Sequence, residues 1–319
     1  MNQHDKAIEL KRKKFKASID KYVGAKYDRR TIGILNEKTI HSVVKDYFSA
    51  DEDLKEVPVG SFFADICDGD NITEIQTAGF GKLRDKLTYF LPDYKVTIVY
   101  PMQHFKWTIW VDPESGELNG HNKSPITGNV YRAFKELYRI KTFLKHPNLR
   151  VIILLIDMDE YRLLDGWSQN KKRGSHRYDR IPLELIDEIE LADIYDYMAL
   201  VPDALPEEFT GADLAKAVHI KSKEASVVMN ILSYMGAITQ IGKRGRAYLY
   251  SRYVGEISEK ASEPETDVDK MLEDLHIDND KKNKSSKSIY KKAVTKKAVS
   301  KKTTSKKELK KTTSKKAKA

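Results

Sequence analysis

Residues 57–87, VPVGSFFADICDGDNITEIQTAGFGKLRDKL, form the stretch on which the fold turns. Two short apolar runs each carry a carboxylate, Asp65 and Glu74, and the turn signal Asp68-Gly69-Asp70-Asn71 separates them. The runs predict strands at about 57–67 and 71–77. Strand alternation puts Glu74 and Gln76 on one face. Gly79 and Gly81 open a helix, KLRDKLTYFL, with Leu83, Leu87 and Phe90 on its buried edge and Lys82, Arg84 and Lys86 in its first turns. Cations at a helix start oppose the helix dipole. A nearby phosphate would offset that conflict, although solvent exposure would also tolerate it. Two acids beside lysines suit a hard metal ion next to a phosphate.

Upstream, residues 4–22 predict a helix with Ile8, Phe15, Ile19 and Tyr22 on one face and Lys11, Arg12, Lys13, Lys14 and Lys16 on the others. Packing of the apolar stripe on the body explains it; the alternative is a phosphate-contacting arm. Asn36 is placed to cap a second helix, EKTIHSVVKDYF, whose stripe is Ile40, Val43, Val44 and Tyr47. Glu37 sits in its first turn, where the dipole favours a carboxylate, and shares a face with His41.

Downstream, KVTIVY (95–100) and KWTIWV (106–111) read as two strands, and residues 114–129 as a loop rich in Gly, Asn and Ser. VYRAFKELYRIKTFL reads as a helix closed by His146-Pro147-Asn148. RVIILLID is apolar on both faces, as a central strand of an α/β sheet is. Residues 165–180 read as a basic loop carrying Lys171, Lys172, Arg173, Arg177 and Arg180, and PLELIDEIEL (182–191) as a strand or a helix.

A second module spans 192–255. Helices are expected over ADIYDYMALV, over GADLAKAVH capped by Thr210, and over KEASVVMNILSYM capped by Ser222 and ended by Gly236. A β-hairpin with a basic tip, Lys243, Arg244 and Arg246, follows. Three helices and a basic-tipped hairpin resemble a winged helix-turn-helix. That resemblance implies a third helix in the major groove, presenting Lys221, Lys223, Ser226, Asn230 and Ser233, with the wing on the backbone. Winged helices also serve as protein-docking modules.

The net charge of +10 is unevenly spread. Residues 281–319 hold seventeen lysines against Glu308 alone; residues 256–280 hold ten acids against two lysines. The remaining 255 residues are close to neutral. The tail lacks the large apolar residues that bury a core, so disorder is expected. Its lysines predict non-specific, salt-dependent nucleic-acid binding through counterion release. Masking by the acidic segment is an alternative; nothing apolar in the tail supports a membrane surface.

One cysteine, Cys67, excludes an intrachain disulfide and points to a reducing compartment. No CxxC or HxxxH spacing marks a zinc site, and no nucleophile elbow, Walker loop or dinucleotide glycine pattern is present. No apolar run reaches the roughly 18 residues of a spanning helix. No apolar stretch follows the charges of MNQHDKAIELKRKKF, so a cytoplasmic, nucleoid-associated protein is expected.

The order helix, hairpin, helix, with Glu37, Asp65 and Glu74-Ile75-Gln76, resembles the core of the PD-(D/E)xK phosphodiesterase superfamily over about 36–112. The resemblance implies an α/β fold, a restriction-endonuclease-like mixed sheet flanked by helices. It implies Glu37 as the first-helix carboxylate and Asp65 and Glu74 as ligands of Mg²⁺ or Mn²⁺. Gln76 stands where the family usually has lysine, and Lys38, Lys82 and Lys106 are open candidates for the missing charge. Lys82, Arg84, Lys86, Lys172, Arg173 and Arg177 would hold the DNA backbone, joined by Lys223, Asn230, Lys243, Arg244 and Arg246 of the second module. A homodimer is implied where both strands are cut. The expected organisation is a basic N-terminal helix (1–30), a nuclease-like domain (31–191), a winged helix (192–255), an acidic linker (256–280) and a disordered tail (281–319). The expected function is metal-dependent hydrolysis of DNA phosphodiesters. The alternatives are a catalytically inactive, nuclease-like DNA-binding or regulatory protein and an architectural role for the tail alone.

Overall fold

The computed structural model describes residues 3–24, 39–167 and 173–252. It is a mixed α/β fold: a large mixed sheet with helices on both faces, followed by a small module of helices and a three-stranded sheet. No helix among the described residues is long and apolar enough to cross a membrane.

The first helix, α1, spans Gln3–Ile19, and α2 spans Thr39–Phe48. Their apolar stripes pack together on one face of the sheet. Phe15, Ile19, Ile40, Val43, Val44 and Tyr47 form one core with Ile75, Val99, Ile152, Leu154 and Ile156. The cations of α1 serve this docking. Lys11 pairs with Glu188 at 2.8 Å, and Arg12 donates to the carbonyls of Leu185 and Ile186. The packing explanation of the N-terminal helix therefore accounts for these two residues without a phosphate.

The next elements are β1 (Lys55–Val59), β2 (Phe62–Asp68) and β3 (Asn71–Ile75). The run expected as one strand at 57–67 is itself a hairpin, because Gly60 adopts φ 59 and turns the chain. A short turn at Phe80–Leu83 leads into α3 (Arg84–Phe90), which crosses to β4 (Lys95–Val111), parallel to β3. Leu83, Leu87 and Phe90 are buried as expected.

β4 joins the two strands expected at 95–100 and 106–111, despite Pro101. Gln76 N donates to Val99 O, so Val99 faces β3, and alternation turns Pro101 to the same side. Pairing with β3 has ended at Val99, so the missing proline donor leaves no ladder bond broken. β5 (Leu118–Lys123) lies in the segment expected as loop and pairs antiparallel with the far half of β4. Its sequence, LNGHNK, is exposed throughout, so it carries no apolar alternation to betray it.

The helix expected over 130–144 is broken: α4 keeps only Phe134–Leu137, and Ile140 leaves helical geometry with φ −118 and ψ 20. β6 (Leu149–Trp167) and β7 (Arg173–Leu191) form a long antiparallel pair. The ambiguity at 182–191 resolves as strand, and much of the expected basic loop is strand as well. The sheet order is β1-β2-β3-β4-β6-β7, with β5 beside β4.

The second module runs α5 (Ile194–Ala199), β8 (Glu208–Thr210), α6 (Gly211–Ala217), α7 (Ser222–Met235), β9 (Ile238–Arg244) and β10 (Ala247–Arg252). Thr210 caps α6 in a reciprocal box with Asp213. Ser222 is the first helical residue of α7 rather than its cap, which is Lys221, whose N–H donates to Glu224. Gly236 ends α7 with φ 86. Short β8 escapes a periodicity reading and completes the sheet as β8-β10-β9.

Candidate functional site

The site begins with one residue of backbone. β2 and β3 pair from Asp68↔Asn71 to Ile66↔Thr73, where the ladder stops. Since Gln76 N turns toward β4, Ile75 presents its N–H and C=O toward β2. Both groups are met by side chains. Asp65 Oδ2 accepts from Ile75 N at 2.7 Å, and His41 Nε2 lies 3.2 Å from Ile75 O. His41 Nε2 is also 3.4 Å from Asp65 Oδ2. Both oxygens accept only, so Nε2 carries the proton. Lys45, one helical turn along α2, places Nζ 3.8 Å from Asp65 Oδ1 and also pairs with Glu56. Burial pushes the Asp65 carboxyl up, but His41, Ile75 N–H and Lys45 together hold it below the ordinary carboxylate value.

Glu74 looks the other way, toward α3. Lys86 Nζ donates to Glu74 Oε2 at 2.7 Å and to Phe63 O at 2.7 Å. Glu74 is 3% exposed, and among the described residues its other oxygen, Oε1, is buried with no hydrogen-bond partner. Burial pushes this carboxyl up to about 7; Lys86 opposes the shift and nearby Asp65 adds to it. A buried carboxylate oxygen without a donor is costly, and a cation or a proton relieves the cost.

Gln76 is half-buried and spends its amide N–H on Ala78 O at 2.5 Å. Glu37 and Lys38 lie outside the described residues, as do the expected cap Asn36, the basic-loop residues Lys171 and Lys172, and the side chain of Arg173. Lys82 is exposed, and Arg84 Nε donates to Arg139 O. The cations at the start of α3 have an internal counterpart. Glu136 accepts from Gly79 N at 2.9 Å and Phe80 N at 3.1 Å, which settles the amides there without a phosphate. Lys106 pairs with Glu160, so it is not the charge beside Glu74; Lys86 is.

Glu160, fully buried on β6, gathers Lys106 of β4 and Arg162, Arg177 and Arg180 of β6 and β7. Sequence reasoning names Lys106, Arg177 and Arg180 separately but not this hub, because register across three strands assembles it. His41 and Lys45 were also missed as site residues; their i, i+4 spacing on one face of α2 was the available signal.

In the second module Lys223, Lys243, Arg244 and Arg246 are exposed. Lys243 lies over the Tyr248 ring, and Arg244 is 3.8 Å from Glu208. Asn230, expected at a DNA groove, is instead buried, with Lys141 Nζ 3.5 Å from its amide oxygen; Ser233 is buried too. Glu224 pairs with Arg132 at 3.3 Å. This side of α7 is packed against the α4 region, so it does not face outward as the groove-reading arrangement requires.

A metal's fit can be judged from these donors. Two carboxylates and a backbone carbonyl are oxygen ligands suited to Mg²⁺, which keeps several waters and needs few protein ligands. The partnerless Glu74 Oε1 fits that use. Among the described residues no group of three or more His, Cys, Asp or Glu side chains is arranged to hold a metal.

A family model described as a domain of unknown function (DUF8091) matches residues 38–192, the span from α2 through β7 that contains both clusters. A protein of Treponema pallidum (strain Nichols), called an uncharacterized protein, is 29% identical over 226 residues, covering 70% of this chain and 88% of its own length. No solved structure matches the chain.

Proposed function

We propose that the chain is a DNA-binding, metal-dependent phosphodiesterase of PD-(D/E)xK type, with its centre at the opening between β2 and β3. The observation that carries this reading is the pair Asp65 and Glu74 flanking Ile75, with Glu74 Oε1 buried and, among the described residues, without a donor. The helix–hairpin–strand–helix–strand order and the parallel β3–β4 pair support the restriction-endonuclease-like core. Asp65, Glu74 and the Ile75 carbonyl would hold Mg²⁺, which when bound acidifies a water and neutralises charge on the phosphodiester. Lys86 supplies the positive charge that Gln76 lacks and keeps one Glu74 oxygen in place. His41 orients the Ile75 carbonyl and, with Lys45, favours the ionised form of Asp65.

DNA as the polymer is supported by the lysine-rich 281–319 segment and by the exposed tip Lys243, Arg244 and Arg246. The module resembles a winged helix that approaches DNA by its wing, since α7 is packed inward. The test is Mg²⁺- or Mn²⁺-dependent cleavage of single-stranded, duplex, flap and branched DNA. Glu74→Gln should reduce cleavage at least about a hundredfold while tail-driven binding persists. Unchanged cleavage by that variant removes this centre from consideration.

One observation favours a second reading, a catalytically inactive DNA-binding protein. Asp65 already satisfies Ile75 N and is held by His41 and Lys45. Calorimetric titration separates the two, because the inactive form takes up neither ion at the Asp65–Glu74 site.

A further inference from the structure

Glu160 has two carboxylate oxygens and four cations. Lys106 Nζ lies 3.1 Å and Arg162 Nε 3.4 Å from Oε1. Arg177 Nε lies 3.0 Å and Arg180 Nε 3.4 Å from Oε2. The register places Thr108, Glu160 and Arg180 side by side across β4, β6 and β7, and Arg162 beside Arg177. A buried carboxylate needs one or two cations to be satisfied. Among the described residues of this cluster four leave a surplus of three positive charges, and the opposite face of these strands takes the apolar Ile109, Val111, Tyr161 and Ile181. The crowding shows in Lys106 and Arg177, whose pKa values burial depresses, with neighbouring arginines adding to the effect.

The geometry sorts the two ends of each guanidinium. All three arginines turn Nε toward Glu160. Their terminal Nη groups lie beyond that contact, at the outer end of each side chain. Arg177 and Arg162 are 43% and 33% exposed at the side chain, against 1% for Glu160, so the carboxylate is the floor and the guanidinium ends are the mouth. Planar, fixed donor ends of this kind match the oxygens of a phosphate group.

We propose that Lys106, Arg162, Arg177 and Arg180, organised on Glu160, form a phosphate-binding subsite. It takes a backbone phosphate of nucleic acid or a phosphate monoester. The choice of nucleic acid rests on the DNA reading above; the recognition of phosphate does not. The seventeen lysines of 281–319 would mask such a site in an ordinary binding assay, but that segment contains no arginine. Arginine-selective labelling with a dicarbonyl reagent, read by mass spectrometry on the full chain, is therefore blind to the tail.

Labelling of Arg162 and Arg177 should fall at least about fivefold with inorganic phosphate or with a short DNA duplex, while Arg150, paired with Glu190, stays unchanged. Protection by both, or by DNA alone, assigns a nucleic-acid phosphate. Protection by phosphate alone, with the wing residues Arg244 and Arg246 still labelled in DNA, keeps the subsite and overturns the DNA reading. Protection by neither overturns the subsite. Arg177→Gln should raise the phosphate concentration needed to protect Arg162 by about tenfold. An unchanged midpoint in a variant that unfolds as the parent does also overturns it.

Discussion

Lys86 holds one oxygen of Glu74 at 2.7 Å while the other oxygen of the same carboxylate is buried without a donor among the described residues. The arrangement leaves Glu74 half satisfied. Its carboxyl, pushed up to about 7 first by burial and then by Asp65 against the pull of Lys86, has a proton to lose close to neutrality. A cation arriving at Oε1 competes with that proton.

Mg²⁺ uptake should therefore rise with pH through about 7. Titration calorimetry at pH 6 and pH 8 should show affinity about tenfold weaker at the lower pH, with proton release accompanying binding near pH 7. Glu74→Gln should abolish both the binding and the released proton.

The same carboxyl sets a pH dependence of folding. Its folded pKa is raised above the unfolded 4.5, so the folded form holds more protons between 4.5 and about 7. Its contribution is fully present below 4.5 and is lost as pH rises through 7, a loss of at most about 3 kcal/mol. Urea denaturation of the parent and of Glu74→Gln at pH 5 and pH 8 should show the variant losing less stability across that interval.

Glu160→Gln should destabilise the fold by about 3 kcal/mol or more, because four cations would lose the carboxylate they share. The loss should shrink in added sulfate or phosphate, which replaces the missing negative charge. A urea midpoint equal to the parent's would show that the hub contributes nothing to folding.

Gly128 and Gly81 give a matched pair. A Cβ on Gly128 would lie 1.7 Å from the backbone oxygen of Gln103, whereas one on Gly81 meets nothing within 4 Å. Gly128→Ala should lower the melting temperature by several degrees, corresponding to about 2 kcal/mol or more, and Gly81→Ala should leave it nearly unchanged.

Arg244→Ala combined with Arg246→Ala should weaken DNA binding and lower its salt dependence by about two counterions, without loss of stability. Asn230→Ala should do the reverse, destabilising the α7 packing and leaving the salt dependence alone. Affinity measured over a series of salt concentrations, with thermal melts alongside, checks both.

The stretch at 57–87 was legible because its signals are local. Glu74 opposite a turn from Asp65, and Leu83, Leu87 and Phe90 on one helix edge, each follow from short-range spacing. The alternation did not reveal that Gly60 folds the first strand back on itself, since either arrangement keeps its apolar residues paired. β5 is hidden because all its residues face water, and the first half of β7 because its charges look like a loop, whereas 182–191 already reads as a strand or a helix. At the site, Lys86, expected at a phosphate, holds Glu74; only the crossing of α3 over β3 brings them together. Lys106 and Glu160 lie 54 positions apart and meet through strand register, which no spacing rule encodes.

Pro101 has a consequence for the integrity of the sheet. Between Val99, where pairing with β3 ends, and Trp107, where pairing with β5 starts, one side of β4 has no strand partner among the described residues. Residues 124 and 128 donate to Lys106 O and His104 O, which covers the far part of the interval. In the near part Pro101 and Met102 are buried, so a backbone N–H turned to that side would be shut away from water as well as from a strand partner. Proline has no such N–H to leave unpaired. The interruption between β3 and β5 is thus closed without an orphaned donor by the same residue that would ordinarily argue against a strand at all.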